Sequence, residues 1–320
     1  MARPSVAGAT PLRTGLALLT LYIIWGSTYF AIKVALEGFP PFLMAGARFL
    51  VAGVGMYAFL RLRGIPNPRR AEWRGAAIVG ILLLATGNGG VVFAEQWIGS
   101  GLAALGVATV PVWAALFAGL WGQWPSGREW AGIVLGLVGM VLLNLESDLR
   151  ANPIGAVAVL AAAASWALGS VWSRRLSLPP GAMASSAEML AGGGVLMLAS
   201  LLTGEHIAAV PGPRPLLAVA YLVVFGSIVA FSAYGYLLRY TRPAVATSYA
   251  YANPLVAVLL GVTFAGEHIS LSGILAMVVI LAGVGLVTIR RVRPAPAVAV
   301  APDEPAPEPS VGELVETGRR

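Results

Sequence analysis

The chain has 320 residues, of which 58% are apolar and only 11% charged, with 39 glycines. Soluble domains carry about 25% charged residues, so this composition excludes an ordinary globular surface and makes lipid the solvent. The net charge of +7 comes from arginines clustered between apolar runs, which points to a membrane surface as partner and away from nucleic acid.

Cysteine is absent, which excludes disulfides, thiol catalysis and cysteine metal sites, and His206 and His268 form no ligand cluster. No metal and no cofactor is expected. Met1 to Thr14 lacks a small-residue cleavage signature, so the first apolar run is expected to stay as a spanning helix.

In chain order the apolar runs cover 14–36, 42–60, 74–94, 101–121, 130–145, 154–173, 182–202, 215–238, 244–264 and 271–290. Most match the length a helix needs to cross a bilayer. The expected fold is therefore an all-α integral membrane protein with ten transmembrane helices. Residues 1–13 precede the first span, and 293–320, rich in Pro, Ala and Glu, read as a disordered tail. Apart from Lys33, Arg48, Arg150 and Arg214, the basic residues fall in segments that are cytoplasmic if the N terminus is inside. Both termini are expected in the cytoplasm.

Landmarks recur at an offset of about 140 residues. Pro40-Pro41 and its following span resemble Pro179-Pro180 and its successor, and Pro111 stands where Pro254 stands. Five spans per copy place the copies in opposite senses, giving an inverted five-plus-five repeat over 14–145 and 154–292 around a central cavity. Such repeats support alternating access.

The first span puts Trp25, Thr28 and Tyr29 on one face, with Ser27 adding a hydroxyl. They read either as walls and handles of a cavity or as packing groups whose hydroxyls bond backbone. Lys33, one turn further, either snorkels outward or faces an outer vestibule. Glu95 at the end of the third span is a partner for Lys33, an outer gate or an ordinary interfacial carboxylate.

Arg48 and Glu188 are intramembrane charges, costly and in need of an account. They form either a structural ion lock, or Glu188 titrates as a proton-coupling group. Asn88, in the glycine-rich Gly87-Asn88-Gly89-Gly90, is a polar contact for a ligand or across a helix interface. Ser232 occupies the corresponding part of the eighth span. Trp166 and Ser170 in the sixth mirror Trp25 and Tyr29. Tyr249, Tyr251 and Asn253 put polar groups at the centre of the ninth span, where Pro254 frees a backbone carbonyl. Pro111 and Pro254 are expected to bend two symmetry-related helices.

The stretches Leu21-Tyr22-Ile23-Ile24-Trp25-Gly26-Ser27-Thr28-Tyr29-Phe30, Ala85-Thr86-Gly87-Asn88-Gly89, Val107-Ala108-Thr109-Val110-Pro111 and Ala246 to Pro254 resemble the EamA-type exporters of the drug/metabolite transporter superfamily. Within it they look most like its YedA-type inner-membrane transporters. The resemblance covers about residues 14 to 292 and implies ten helices and a central cavity lined by helices 1, 3, 4, 6, 8 and 9. It also implies efflux of small metabolites, amino acids or drugs. Placing helices two and seven outside that cavity favours a structural role for Arg48 and Glu188. Partners so expected are a small-molecule substrate, the lipid bilayer and protons as a coupling ion, with the oligomeric state left open.

A membrane enzyme is the rival from another class, but the spans hold no histidine or aspartate to serve a nucleophile or a metal. A lipid flippase would need a cavity open sideways to the bilayer. A non-transporting sensor would need a signalling domain to report binding.

Overall fold

In the computed structural model, residues 10–94, 96–97, 103, 106–144, 152–265 and 271–288 are described. Among these, every regular element is helical. The helices are α1 Pro11–Ala35, α2 Pro41–Leu62, α3 Arg70–Ala94, α4 Val110–Leu120, α5 Gly127–Asn144, α6 Pro153–Trp172, α7 Ala182–Leu202, α8 Pro213–Tyr240, α9 Tyr249–Ala265 and α10 Leu271–Thr288. Seven of them, α1, α2, α3, α6, α7, α8 and α10, are long and apolar enough to cross a membrane. Leu16, Leu19 and Ile23 on α1 and Leu198, Leu201 and Leu202 on α7 lie exposed, a surface that suits acyl chains.

Proline and glycine punctuate these helices for local reasons. Proline occupies the first turn of α1, α2, α4, α6 and α8, where its missing N–H removes a donor that has no helical partner anyway. Gly64, Gly122 and Gly204 take positive φ just beyond α2, α4 and α7. In each case two backbone bonds close the end, as in Ile65 N to Leu60 O and Glu205 N to Ser200 O. The start of α2 is capped from a distance, the Glu205 carboxylate accepting from Phe42 N and Leu43 N.

Two helices change winding in mid-course. α3 is π-helical over Ile81–Asn88 and α8 over Leu222–Val229. Such stretches are rare, and they re-aim side chains and open backbone where a site needs them.

Small residues let neighbouring helices approach closely. α2 lies along α7, with Gly46 against Met197 and Gly53 against Leu190. α5 lies along α10, where Gly132 rests on the Gly283 carbonyl and Gly139 on Ile280. α3 packs on α7 through Gly80, where an added Cβ would stand 2.3 Å from the Glu188 carbonyl oxygen.

Three expectations change. Pro111 lies in the first turn of α4 and starts that helix instead of bending it. The ninth span is interrupted ahead of its proline: a single helical turn at Pro243–Ala246 gives way to a turn at Thr247-Ser248, and α9 begins at Tyr249 with Pro254 inside it. The Arg48–Glu188 lock is not formed. Gly53 faces Leu190 and Gly46 faces Met197, so Arg48 stands level with residues about two turns along α7 from Glu188. The Arg48 guanidinium stacks on Phe49 at 4.3 Å, and among the described residues its Nε and Nη1 have no partner.

Candidate functional site

The centre of the bundle is an aromatic cluster. Trp25 of α1 meets Trp166 of α6 edge to face with centroids 5.6 Å apart, and also touches Phe231 and Tyr234 of α8 and Tyr249 of α9, the last at 4.7 Å. All five side chains are buried. Each ring pair of this kind adds about 0.5–1.5 kcal/mol beyond the area it covers, so the cluster is a cohesive plug.

Polar atoms at its edge are satisfied within it. Trp25 Nε1 donates to Gly226 O in the π-helical stretch of α8. Trp166 Nε1 donates to Tyr234 Oη at 3.0 Å, and Ser170 Oγ lies 2.6 Å from the same oxygen. Nearby, Tyr22 Oη and Ser248 Oγ are 2.6 Å apart, tying α1 to the break before α9.

The two tryptophans sit in matching seats. An added Cβ at Gly87, in the π-helical stretch of α3, would lie 2.9 Å from the Trp166 ring. One at Gly226 would lie 3.1 Å from Thr28 Cγ2, beside Trp25. A side chain at Gly87 would collide with the Trp166 ring, and one at Gly226 would require Thr28 to yield by a few tenths of an ångström.

Against one side of the plug lies a cavity of ≈240 Å³ between the ends of α6, α7 and α8. Phe231 and Tyr234 belong both to the plug and to the cavity wall. Leu176, Leu178 and Leu238 add apolar surface, and Arg174, Arg239 and Glu188 bring charge. Both arginines are partly spent on backbone, Arg174 Nη2 donating to Thr241 O and Arg239 Nη2 to Pro179 O. Ser185 Oγ donates to Phe231 O and Ser173 Oγ to Ser170 O. What remains for a ligand is an amphipathic pocket with charged groups of both signs.

Of the residues singled out from the sequence, Trp25, Trp166, Ser170 and Tyr249 come together in the plug. Ser27 and Thr28 donate to Ile24 O and Trp25 O one turn back, and Ser27 also bonds Tyr221 Oη. Ser232 donates to Ile228 O and faces Met56. Tyr251 is elsewhere: its ring packs on Gly136, its hydroxyl donates to Ile133 O, and it joins Met140, Leu255 and Ile280. Asn253 is buried and Asn88 partly so, and among the described residues the Oδ1 of each is without a partner. Glu95 and the side chains of Tyr29 and Lys33 lie outside the described residues.

Phe231, Tyr234, Arg174, Ser185 and Arg239 had not been singled out. Phe231, Tyr234 and Leu238 are spaced three and four apart, so one helical face carries them, and that spacing was the available signal. Glu188 enters the cavity because α7, which the resemblance placed outside, forms one wall here.

The sequence profile of the EamA-like transporter family matches the chain twice, over residues 13–145 and 153–289. The inner membrane transporter YedA of Escherichia coli (strain K12) is 51% identical over 274 residues, covering 85% of this chain and 90% of that one. The transporter YvbV of Bacillus subtilis (strain 168) is 26% identical over 279 residues, covering 86% and 91%. A solved crystal structure superimposes with a TM-score of 0.75 over 87% of this chain and 97% of its own, at 24% identity, which speaks for the fold alone. With its multiple membrane-spanning helices and both halves matched, this chain belongs to the EamA-like transporter family.

Proposed function

We propose that the chain is an alternating-access exporter of small polar or amphipathic metabolites across the inner membrane. It is built from ten spans in two inverted five-helix repeats, over 14–145 and 154–292, with both termini cytoplasmic. The separate matches of the family profile to the two halves support the repeat. So do paired features near a constant offset: the π-helical stretches at Ile81–Asn88 and Leu222–Val229, the tryptophans 25 and 166, and the helix-ending glycines 64 and 204. The name of the Escherichia coli relative supports the inner membrane.

The observation that carries the reading is the wall shared by cavity and plug. The cavity rim holds Arg174, Leu178, Gly181 and Arg239, which the distribution of arginines assigns to the cytoplasmic face. A pocket open there and closed inward by Trp25, Trp166, Phe231, Tyr234 and Tyr249 is an inward-facing state. Loosening the plug while the rim closes carries the ligand outward. A volume of ≈240 Å³ is on the scale of a small solute.

The test is an untargeted comparison of metabolites in cells and medium for strains lacking the protein, producing it, or producing Trp166→Ala. The expected result is a small set of compounds enriched in the medium by the intact protein alone. Identical media from all three strains, with the protein folded and in the membrane, count against export.

A further inference from the structure

Glu188 is the one carboxylate lining the cavity, and among the described residues it makes no hydrogen bond and no ion pair. Carboxylates inside a membrane-spanning helix are normally paired, because an ionised oxygen withdrawn from water is costly, whereas half-buried Glu188 faces the cavity. The groups around it are few. From α8 come Arg239, the charge that acts on it, and Tyr234, whose hydroxyl is taken up by Ser170 and Trp166. From the segment after α6 comes Arg174, held by Thr241 O. α3 presents the Gly80 backbone. α2 contributes Arg48, which stacks on Phe49 further along.

We propose that Glu188 is the proton-exchange group of the transport cycle. Its carboxyl gives up a proton to cavity water when the ammonium group of an amphipathic ligand takes the proton's place, and it takes one back from the outer side before the empty protein returns. Proton and ligand compete for one carboxylate, so outward movement of one ligand is matched by inward movement of one proton. Arg239 and Arg174 serve as positioning residues that keep the emptied carboxylate from remaining alone. This rests on the reading of the chain as a transporter.

The test uses dicyclohexylcarbodiimide, which attaches to protonated carboxyl groups in apolar surroundings, with the attachment site read by mass spectrometry on the purified full chain. Glu188 is expected to label at pH 6 and at least fivefold less at pH 9. Phenethylamine, an amphipathic ammonium, is expected to protect it, and 3-phenylpropionate of similar size is not. Glu188→Gln, with an unchanged size-exclusion profile, is expected to lose that label and, when the metabolite comparison is repeated in media at pH 6 and pH 8, to lose the pH dependence of export expected of the intact protein. Labelling at Glu188 that ignores pH, absent labelling at every pH, or equal protection by both compounds overturns the proposal. Full export by Glu188→Gln with unaltered pH dependence also overturns it and leaves the transporter reading standing. Absence of export by the intact protein strikes the transporter reading itself.

Discussion

Trp25 and Trp166 meet edge to face at 5.6 Å, and each is seated beside a glycine of the π-helical stretch in the opposite half of the chain, Trp25 at Gly226 and Trp166 at Gly87. The contact therefore joins α1, α3, α6 and α8 at one point. If the halves move against each other, this seam has to open. Its rings are held by packing and two indole hydrogen bonds, and no ion pair is among them, so it can part without stranding a charge.

Truncating one side of the seam removes both packing and a hydrogen bond. Trp166→Ala is expected to cost about 3–5 kcal/mol of stability, as for other buried tryptophans. Trp166→Phe keeps the ring contact and loses only the bond to Tyr234, about 0.5–1.5 kcal/mol. Thermal unfolding in detergent followed by size-exclusion ranks the two, and equal losses would show that the hydrogen bond dominates.

Gly80 and Gly194 lie on packed helices but differ in surroundings. An added methyl at Gly80 meets the Glu188 carbonyl at 2.3 Å, whereas at Gly194 it meets nothing within 4 Å. Gly80→Ala is expected to destabilise by about 1–3 kcal/mol. Gly194→Ala is expected to be neutral or slightly stabilising, since alanine favours helix by about 1 kcal/mol. Melting temperatures of the purified variants decide this.

Tyr251 belongs to the scaffold between α5, α9 and α10. Tyr251→Phe loses its bond to Ile133 O and is expected to cost about 0.5–1.5 kcal/mol while export continues. Tyr249→Ala opens the plug and is expected to abolish export at a comparable protein level. The export assay separates them, and loss of export in Tyr251→Phe at full stability would move Tyr251 into the ligand path.

Arg242 binds the buried Glu129 carboxylate at 2.8 Å and the Trp124 carbonyl, fastening the segment before α9 to the start of α5. Glu129 also accepts from Ser126 N and Oγ. Glu129→Ala thus removes an ion pair and a helix cap together and is expected to cost about 1–2 kcal/mol, more than Arg242→Ala. Thermal unfolding at low and high salt checks this, with only the ion-pair part falling as salt rises.

Much of this was legible from apolar run lengths and proline positions. The runs 42–60 and 182–202 became α2 and α7 nearly residue for residue, because a uniformly apolar segment bounded by Pro and Gly has few other ways to meet lipid. Trp25, Trp166 and Tyr249 were found because large aromatic rings beside hydroxyls stand out at membrane depth. The π-helical stretches were not legible, since one extra residue per turn leaves no mark in composition. Nor was the separation of Tyr249 from Tyr251: two positions apart, they point to opposite sides of α9, and only packing shows which side is the centre. Arg48 and Glu188 looked paired because depth along one helix says nothing of register against another.

Access from the two membrane faces bears most directly on the account. The chain has no cysteine, so Ser185→Cys, which keeps a small group in the cavity wall, reports alone in oriented vesicles. The predicted result is modification by a small impermeant methanethiosulfonate from the cytoplasmic face, with Trp166→Ala in the same background adding modification from the outer face. Modification from the outer face alone, or none from the cytoplasmic face while the unfolded protein labels fully, contradicts a cavity closed by the Trp25–Trp166 seam.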